Sequence, residues 1–344
     1  MSNHQSIDVV TGGAGFIGSH LVDRLLTEDR HVRVIDSFVS GHKKNLSHHI
    51  HHPNLEIIEG DITNIELINN ICEGAKRVFH LAARADIVPS IENPLEYFRS
   101  NVDGTFAVLE AARLHKVERF IYLASSTCYG FPTEFPTSEE AKISPQYPYA
   151  LTKNLGEQLV SHWHSVYKLP TISLRCFNVY GPRARTSGSY GAVFGVFLAQ
   201  LLADAPLTIV GDGNQTRDFT YVSDVVDAIL CAANSSVSGE IFNVGSGSAP
   251  VSVNRLVELL GGKKTIHIPK RPGEPDTTWA DIRKIQSTLH WHPKISIEKG
   301  VKNMLEQIHY WKDAPVWTPE KIADVTKVWF NCLQSESAVI INQN

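Results

Sequence analysis

A tyrosine and a lysine stand one helical turn apart in the segment Tyr149-Ala-Leu-Thr-Lys153. Residues four apart on a helix share a face, so this spacing brings a phenol and an ammonium together. A phenol with a pKa near ~10 is a poor base at neutral pH, but a neighbouring cation favours phenolate and lowers that pKa. We therefore interpret Tyr149 as a base that takes the proton of a substrate hydroxyl. The alternative is an ordinary packed helix residue.

A hydroxyl cluster, Ser125-Ser126-Thr127, lies upstream of this pair at the end of a predicted strand. Ser125 and Thr127 could hydrogen-bond the reacting hydroxyl and relay its proton to Tyr149. The alternative is that the cluster only caps a turn. Taken together, the hydroxyls and the Tyr149/Lys153 pair suggest proton removal coupled to hydride loss from the same carbon.

The hydride acceptor is indicated by a glycine-rich segment near the N-terminus, Thr11-Gly12-Gly13-Ala14-Gly15-Phe16-Ile17-Gly18. Gly12, Gly15 and Gly18 stand between an apolar strand and a helical pattern, where glycine permits a tight turn and close backbone approach to a pyrophosphate. The alternative is a structural glycine turn.

Asp36 follows the second predicted strand, where a carboxylate accepts hydrogen bonds from the adenosine ribose. A negative charge there repels a 2′-phosphate, so the sequence predicts NAD rather than NADP. Asp61 and Ile62 end the third strand and could flank adenine or cap the next helix. Lys153 would also hold the nicotinamide ribose, and an oxidised nicotinamide would add its charge to that of Lys153 in favouring the Tyr149 phenolate.

The elements that must position these residues alternate between short apolar runs and amphipathic segments. This pattern predicts an α/β fold, a doubly wound parallel sheet (Rossmann fold) with a smaller interleaved C-terminal substrate domain. Predicted strands are 7–10, 32–35, 55–58, 78–81, 120–123 and 172–176, and the clearest helices are 16–26, 101–115 and 149–167. We assign residues 1–177 to the NAD-binding domain, with strand 240–244 returning to it. Residues 178–239 and 245–333 form the substrate-binding domain, and residues 334–344 a frayed tail.

Bulk composition is ordinary for a globular chain of 344 residues, with 42% hydrophobic and 20% charged residues and a formal net charge of −4. That charge gives no reason to expect nucleic acid or an anionic membrane as a partner. We expect neither a signal region nor a membrane span. The five cysteines are scattered without a Cys-x-x-Cys pair, which favours a reducing cytoplasm.

These residues resemble those of the extended short-chain dehydrogenase/reductase family, and the chain is similar to its nucleotide-sugar epimerase/dehydratase branch. The resemblance covers roughly residues 7–310. Further matching motifs are His80-Leu81-Ala82-Ala83, Asn101-Val102-Asp103-Gly104-Thr105, Phe177-Asn178-Val179-Tyr180-Gly181-Pro182-Arg183, Gly211-Asp212-Gly213, Thr216-Arg217-Asp218-Phe219, Asn243-Val244-Gly245, Arg271-Pro272-Gly273-Glu274 and Ala280-Asp281.

The resemblance implies roles for residues that the spacing alone does not assign. Around the cofactor it implies Gly12, Gly15, Phe16, Ile17, Gly18, Asp36, Asp61, Ile62, Leu81, Ala82, Ala83 and Arg84, with Asn101 supporting the site. Around a UDP-sugar substrate it implies Ser125, Ser126, Asn178, Val193, Arg217, Arg271, Glu274 and Thr278. Arginine forks suit the diphosphate oxygens, although Arg217 beside Asp218 could also be a surface ion pair. The resemblance further implies a homodimer formed through helices 101–115 and 149–167, whose apolar faces could equally be buried within one subunit.

The reaction is narrowed by positions 126 and 127. A resembling 4,6-dehydratase would carry an Asp-Glu pair there, and the decarboxylases a glutamate at 127, whereas this chain has Ser126 and Thr127. A threonine hydroxyl is too weak an acid or base to remove a carbon-bound proton. The resemblance therefore implies a 4-epimerase, with dehydratase, decarboxylase and a non-catalytic NAD sensor or scaffold as alternatives.

The sugar and the histidine-rich loop complete the expectations. Thr278 aligns with a gate position at which a small residue admits 2-acetamido sugars such as UDP-N-acetylglucosamine. His48, His49, His51 and His52 stand in a polar loop without carboxylate or cysteine companions at ligand spacing, so we expect a solvated loop and no metal. Residues 316–333 extend past the usual end of the family, and we expect a helix packed on the second domain.

Overall fold

The computed structural model describes residues 6–184 and 191–333. Its strands are β1 (Ile7–Thr11), β2 (His31–Asp36), β3 (Leu55–Glu59), β4 (Ala75–His80), β5 (Arg119–Ser125), β6 (Thr171–Cys176), β7 (Leu207–Val210), β8 (Thr216–Arg217), β9 (Glu240–Val244), β10 (Val251–Ser252) and β11 (Thr265–Ile268). Seven of them form one parallel sheet in the order β3-β2-β1-β4-β5-β6-β9. The strand order reverses between β1 and β4, the point where doubly wound sheets bind their ligands.

Helices cover both faces of this sheet. The α-helices of the described residues are α1 (Phe16–Thr27), α2 (Ile65–Cys72), α3 (Ile87–Glu92), α4 (Pro94–Phe98), α5 (Gly104–Leu114), α6 (Pro148–Tyr167), α7 (Val193–Leu202), α8 (Val222–Asn234), α9 (Val253–Leu259), α10 (Arg283–Leu289), α11 (Ile297–Glu306) and α12 (Pro319–Leu333). Helices α1 and α8 pack on one face, and α2, α5 and α6 on the other. None of the described helices is long and apolar enough to cross a membrane.

Burial on both faces explains why the strands are continuous apolar runs rather than alternating ones. Val9 and Val10 are adjacent in β1 and both fully buried, yet they belong to apolar clusters on opposite sides of the sheet. Successive side chains of a strand point to opposite faces, so a strand covered on both sides needs apolar residues at every position. The predicted fold class is confirmed.

Apart from the apolar clusters on the two faces of the sheet, a separate one lies outside it and is called the second apolar cluster below. It joins α7, α9 and α11 to the short parallel pair β7–β11. The antiparallel pair β8–β10 lies beside it. Strand β9, which comes from within this part of the sequence, pairs with β6 at the edge of the main sheet. On this basis we keep the interleaved division into an NAD-binding and a substrate-binding region as a proposal. The predicted tail 334–344 lies outside the described residues.

One predicted helix differs from the structure at its start. The segment expected to be helical from Asn101 begins with a π-helical turn, Arg99–Asp103, and becomes α-helical only in α5. Such wide turns inside helices are frequent at functional sites. Here the turn lies beside the residues that the sequence assigns to the cofactor.

A buried chain of hydrogen bonds runs through His80, the last residue of β4. The Ala82 amide donates to the Thr11 hydroxyl (3.1 Å), and Thr11 Oγ1 lies 2.7 Å from His80 Nδ1. On the other side, His80 Nε2 lies 2.9 Å from Thr105 Oγ1, which donates to the Asn101 carbonyl (2.7 Å). Because each hydroxyl has one proton, the chain is consistent with a neutral imidazole protonated at Nε2. Burial lowers the His80 pKa to about 3, which agrees with that form.

Helix α6 is fixed to the sheet by a buried ion pair. Arg175 of β6 donates through Nε and Nη2 to the two carboxylate oxygens of Glu157, at 2.9 and 2.6 Å, and both side chains are 5% exposed. Arg175 also donates to the Tyr129 hydroxyl (2.8 Å), and that hydroxyl donates to Asn243 (2.7 Å). A two-pronged contact of this kind fixes orientation as well as distance. Helix α6 and the turn Ser126–Tyr129 therefore hold one position relative to β6.

The neutral His80 makes stability depend on pH. The unfolded chain binds a proton at this residue below its ordinary pKa of 6.5, whereas the folded chain resists protonation down to about 3. The contribution of the neutral His80 to the free energy of unfolding is thus fully present above pH 6.5. It is lost as the pH falls towards 3, at up to about 1.4 kcal/mol per pH unit. We expect the free energy of unfolding, measured with urea, to fall less steeply with decreasing pH in His80→Gln than in wild type. Below pH 6.5 the two slopes should differ by about 1.4 kcal/mol per pH unit. Parallel pH profiles would contradict the assignment.

Candidate active site

The glycine-rich loop lies at the carboxyl end of β1 and leads into α1. Gly12 has φ 70°, and a Cβ there would lie 2.8 Å from the backbone of Ala82. A Cβ on Gly18 would lie 2.2 Å from the Gly12 carbonyl oxygen. Both positions therefore exclude side chains, one for the turn and one for helix packing. Gly15 is the N-cap of α1, and its neighbours Phe16 and Ile17 open the helix and bridge to the second apolar cluster.

The N-terminus of α1 suits an anion. Within the described residues no side chain caps this end, and its first turn contains no acidic residue. The first N–H groups of a helix have no partner inside the helix, and the helix dipole favours negative charge at this end. A pyrophosphate would satisfy both requirements without any basic side chain.

Asp36 ends β2 next to this loop and is 7% exposed. Its Oδ2 accepts from the Ala14 amide (2.9 Å) and its Oδ1 from the Phe38 amide (2.8 Å). Desolvation raises the pKa of this carboxyl, and the two amide hydrogen bonds act in the opposite direction. Each carboxylate oxygen still has a second acceptor position, which suits ribose hydroxyls. The glycine cradle, the open helix end and Asp36 together fit a dinucleotide.

Asp61 and Ile62 differ in what they offer to adenine. Asp61 Oδ1 accepts from the amide and the hydroxyl of Thr63, both at 2.9 Å, and α2 is capped instead by Asn64. Ile62 is 6% exposed and packs so closely on Gly104 that a Cβ there would lie 2.5 Å from its Cδ1. The side chain of Ile62 therefore belongs to the core.

The segment Leu81–Arg84 follows β4 and faces the glycine loop. Asn101 grips it: its Oδ1 accepts from the Arg84 amide (2.8 Å) and its Nδ2 donates to the Arg84 carbonyl (3.0 Å). The same Nδ2 donates to Thr152 Oγ1 (3.0 Å), the neighbour of Lys153 in α6. Asn101 thus ties the cofactor side to the catalytic helix. The Arg84 guanidinium pairs with Glu96 (3.0 Å), while Leu81, Ala82 and Ala83 are partly buried.

The structure brings the predicted hydride residues together. Tyr149 lies in the first turn of α6, and the nearby Ser125 hydroxyl acts to lower the pKa of its phenol. Ser125 Oγ lies 2.9 Å from Thr127 Oγ1, so the two hydroxyls form a short relay. Ser126 begins the 3₁₀ turn that carries Thr127. Lys153 is 4% exposed, and its ammonium lies 4.2 Å from the ring centroid of Tyr122.

Burial controls the charges of this pair. Desolvation lowers the pKa of Lys153 to about 7, with Cys176 and Glu157 acting in the opposite direction. Desolvation also raises the pKa of Tyr149 above its ordinary value of 10, and the Ser125 hydroxyl only partly offsets this. In the protein alone the Tyr149 pKa is raised rather than lowered, because burial disfavours charge on both groups. The expected lowering by Lys153 together with an oxidised nicotinamide stays a prediction. Phenolate formation needs further positive charge nearby, such as an oxidised nicotinamide.

Tyr147 was not predicted as a site residue. Its ring lies parallel to that of Tyr149, with centroids 6.4 Å apart and planes inclined by 11°. Desolvation raises the pKa of its phenol, Glu274 raises it further, and Arg217 lowers it. Tyr147 therefore lies between the hydride residues and the arginines. The available signal was its place just before Pro148, at the N-cap of the catalytic helix.

The arginines meet around one carboxylate. Arg271 Nη1 lies 3.2 Å from Glu274 Oε1, and Arg217 Nη2 lies 3.6 Å from Glu274 Oε2. All three line a cavity of about 290 Å³ between β7 and the segment 270–277. Desolvation lowers the pKa of Arg217, Glu274 raises it and Arg271 lowers it again. Two guanidinium groups thus meet at one place, and their planar donor forks suit the oxygens of an anion.

Asp218 is not the ion partner of Arg217 that a surface pair would require. Asp218 is fully buried and accepts from the Ala280 amide (2.9 Å) and the Ser246 amide (2.7 Å). That alternative for Arg217 is wrong. Nearby, Thr278 Oγ1 donates to Asn178 Oδ1 (2.7 Å) and accepts from the Asp218 amide (3.1 Å). Val193 begins α7 and packs against the second apolar cluster.

The histidine loop has a carboxylate companion after all. His48 Nε2 and His49 Nε2 lie 2.9 and 3.0 Å from Asp23 Oδ1 of α1, although the sequence separates them by some 25 residues. Arg183 lies 2.8 Å from the other oxygen, Asp23 Oδ2. The expectation of a loop without acidic companions is therefore wrong, and the guanidinium already supplies positive charge to this carboxylate. The absence of a metal here stays a prediction.

Comparisons with known proteins agree with this geometry. The sequence profile of the NAD dependent epimerase/dehydratase family matches residues 9–245. The chain is 35% identical to the UDP-glucose 4-epimerase of Mycolicibacterium smegmatis, over 87% of this chain and 97% of that one. It is 34% identical to UDP-glucuronic acid decarboxylase 1 of Arabidopsis thaliana, over 86% of this chain and 68% of that one.

Solved structures show the same likeness. A UDP-glucuronic acid 4-epimerase from Bacillus cereus, in complex with UDP-glucuronic acid and NAD, aligns with a TM-score of 0.82 at 33% identity. A UDP-N-acetylglucosamine 4-epimerase from Methanobrevibacter ruminantium, in complex with UDP-N-acetylmuramic acid, aligns with a TM-score of 0.82 at 32% identity. Each alignment covers 88% of this chain and 99% of the other. The predicted NAD cofactor and enzyme class are confirmed, and the chain belongs to the NAD dependent epimerase/dehydratase family of nucleotide-sugar enzymes.

Proposed function

We propose that this protein catalyses the NAD-dependent 4-epimerisation of a UDP-sugar through a transient 4-keto sugar. The observation that carries the proposal is the composition of the Tyr149 site. Tyr149, Ser125 and Thr127 can move a hydroxyl proton, and positions 126 and 127 supply hydroxyls where removal of a carbon-bound proton would need a carboxylate. The site can therefore oxidise and reduce C4, and positions 126 and 127 offer no carboxylate to remove a proton from C5.

When bound, NAD would supply the hydride chemistry that oxidation and reduction at C4 require. The protein residues move the proton. Tyr149 takes the C4 hydroxyl proton as the C4–H bond breaks, directly or through Ser125, and returns it when the carbonyl is reduced. Thr127 holds Ser125 by a 2.9 Å hydrogen bond. Lys153, buried in α6, would hold the nicotinamide ribose and add positive charge when protonated.

The diphosphate would be held away from the reacting carbon. Arg217 and Arg271 converge on Glu274 at the cavity beside Tyr147, and we assign them to the diphosphate oxygens, with Glu274 near the uridine ribose. Binding energy placed there leaves the sugar free to turn about the diphosphate linkage. Such a turn is what presentation of both faces of the keto sugar requires. A UDP-glucuronic acid decarboxylase among the relatives keeps decarboxylation as the second candidate.

The sugar specificity is proposed from the hydrogen bond between Thr278 and Asn178. This bond joins the small side chain of Thr278 to Asn178, which we assign to substrate binding, and a bulky residue at position 278 would need more space beside Asn178. We propose that the enzyme accepts a 2-acetamido sugar in addition to a plain hexose. A relative of known structure is a UDP-N-acetylglucosamine 4-epimerase.

We also propose a cytoplasmic homodimer. All five cysteines are free thiols, in keeping with a reducing compartment.

Large apolar side chains remain 43 to 60% exposed on α4 to α6: Leu95, Phe98, Phe106, Leu114, Leu151, Val166 and Tyr167. Helices α4 and α5 each contact α6, and apolar side chains exposed on neighbouring helices are typical of interfaces. Sedimentation equilibrium should give twice the mass of 38.2 kDa, and Phe106→Glu should give a monomer; a wild-type monomer would contradict the dimer.

The reaction itself is tested with a panel of UDP-sugars, including UDP-glucose, UDP-glucuronic acid and UDP-N-acetylglucosamine, with products identified by NMR. We expect the C4 epimer of at least one substrate as the product. Tyr149→Phe should lower kcat by about 10²- to 10⁴-fold while the purified protein keeps its NAD. A pentose or a 4-keto-6-deoxy sugar as the product would contradict the 4-epimerase assignment.

The role of Thr278 is tested by adding bulk. We expect Thr278→Tyr to lose turnover of UDP-N-acetylglucosamine while turnover of UDP-glucose persists, because the ring would occupy the space of the acetamido group. Thr278→Ser is the matched control, since it keeps the hydroxyl that donates to Asn178. Equal losses on both sugars, or no wild-type activity on the acetamido sugar, would refute the gate.

A further inference from the structure

Helix α12 (Pro319–Leu333) lies beyond residue 245, where the family match ends, yet its C-terminal half lies beside the proposed diphosphate site. The expectation of a helix packed on the second domain holds for Ile322, which belongs to the second apolar cluster. Further along, α12 packs on α3, within the proposed NAD-binding region, and on the segment 271–273. The helix thus contacts both the proposed NAD-binding region and the proposed substrate-binding region.

Trp329 makes two contacts with the segment that carries Arg271. Its indole Nε1 donates to the Pro272 carbonyl (2.8 Å), and the Arg271 guanidinium carbon lies 5.5 Å from the centroid of its ring. Trp329 is 2% exposed, so both contacts are shielded from water. A cation over an indole face is held more strongly when it is desolvated. The hydrogen bond fixes the backbone of the segment, and the ring fixes the head of Arg271.

Gly273 allows this close packing. It has φ 76°, and a Cβ there would lie 3.0 Å from Leu333 Cδ1 at the end of α12. Phe330, the next residue after Trp329, lines a cavity of about 380 Å³ together with Phe131, Arg271 and Glu274. The helix therefore contributes to the mouth of the site as well as to its support.

We propose that α12 is a positioning element of the nucleotide-sugar site, in which Trp329 orients Arg271 for the substrate diphosphate. The inference rests on the proposed function, because it takes Arg271 as a diphosphate ligand. Trp329 touches neither the reacting carbon nor Tyr149, and it acts through Arg271 and the backbone at Pro272. A loss of Trp329 should therefore weaken binding of the nucleotide and leave the chemical step in place.

The test compares Trp329→Leu, Trp329→Phe and wild type by calorimetric titration with UDP and by KM and kcat on the preferred UDP-sugar. Trp329→Leu removes the ring and the indole N–H, and we expect the Kd for UDP and the KM to rise about tenfold with kcat within about twofold. Trp329→Phe keeps a ring for Arg271 but loses the donor to Pro272. Its Kd for UDP and its KM should therefore lie between those of wild type and Trp329→Leu. Retained NAD shows that the fold and the cofactor site are intact.

Ile322→Ala is the matched control, because it removes apolar packing from the same helix at a position far from Arg271. It should lower the Tm without raising the Kd for UDP. The inference is overturned if both Trp329 variants bind UDP as wild type does, or if Ile322→Ala weakens UDP binding as much as Trp329→Leu. If the wild-type protein binds UDP and turns over UDP-sugars, and the Trp329 variants do both equally well, the positioning role alone is refuted. A wild-type protein that does neither refutes the proposed function, and the inference with it.

Discussion

A chain of buried hydrogen bonds through the neutral imidazole of His80 connects the cofactor side of this protein to its catalytic helix. It runs from the Ala82 amide through Thr11 to His80, and from His80 through Thr105 to the Asn101 carbonyl. The Asn101 side chain continues the connection to Arg84 and to Thr152 of α6. If every hydrogen bond of the chain is made, the direction of donation at each hydroxyl and ring nitrogen is determined. The distance between the glycine loop and α6 is therefore fixed by hydrogen-bond geometry as well as by packing. Protonation of His80 would break the chain.

The electrostatics of the hydride residues follow from the same burial. The protein alone lowers the pKa of Lys153 to about 7 and raises that of Tyr149, so it withholds charge from both groups. The charge of an oxidised nicotinamide would favour the phenolate, and its loss on reduction would favour return of the proton. Such a site couples proton movement to the oxidation state of the cofactor. This coupling suits a reaction in which a hydride is taken and then given back.

Local chemistry made much of the site predictable from sequence. The glycine turn, Asp36 and the Tyr149/Lys153 spacing depend on short-range geometry, and the alternation of apolar runs predicted the parallel sheet. Residues that act through tertiary contacts could not be found in this way. Tyr147 is recognised by its stacking on Tyr149, and Trp329 by its contact with a segment some 57 residues away. The carboxylate that contacts His48 belongs to Asp23 in α1, far upstream in the sequence. The raised Tyr149 pKa of the protein alone could not be found in this way either, because it comes from burial in the folded chain.

Retention of the C4 hydrogen tests the central claim most directly. The enzyme is supplied with its UDP-sugar in D₂O and, separately, with substrate deuterated at C4 in H₂O, and both products are analysed by NMR. The account predicts an epimerised product that carries no solvent deuterium on carbon and keeps its label at C4, because the same hydride leaves and returns within one closed site. Solvent deuterium at C5, or loss of the C4 label to water, would contradict it.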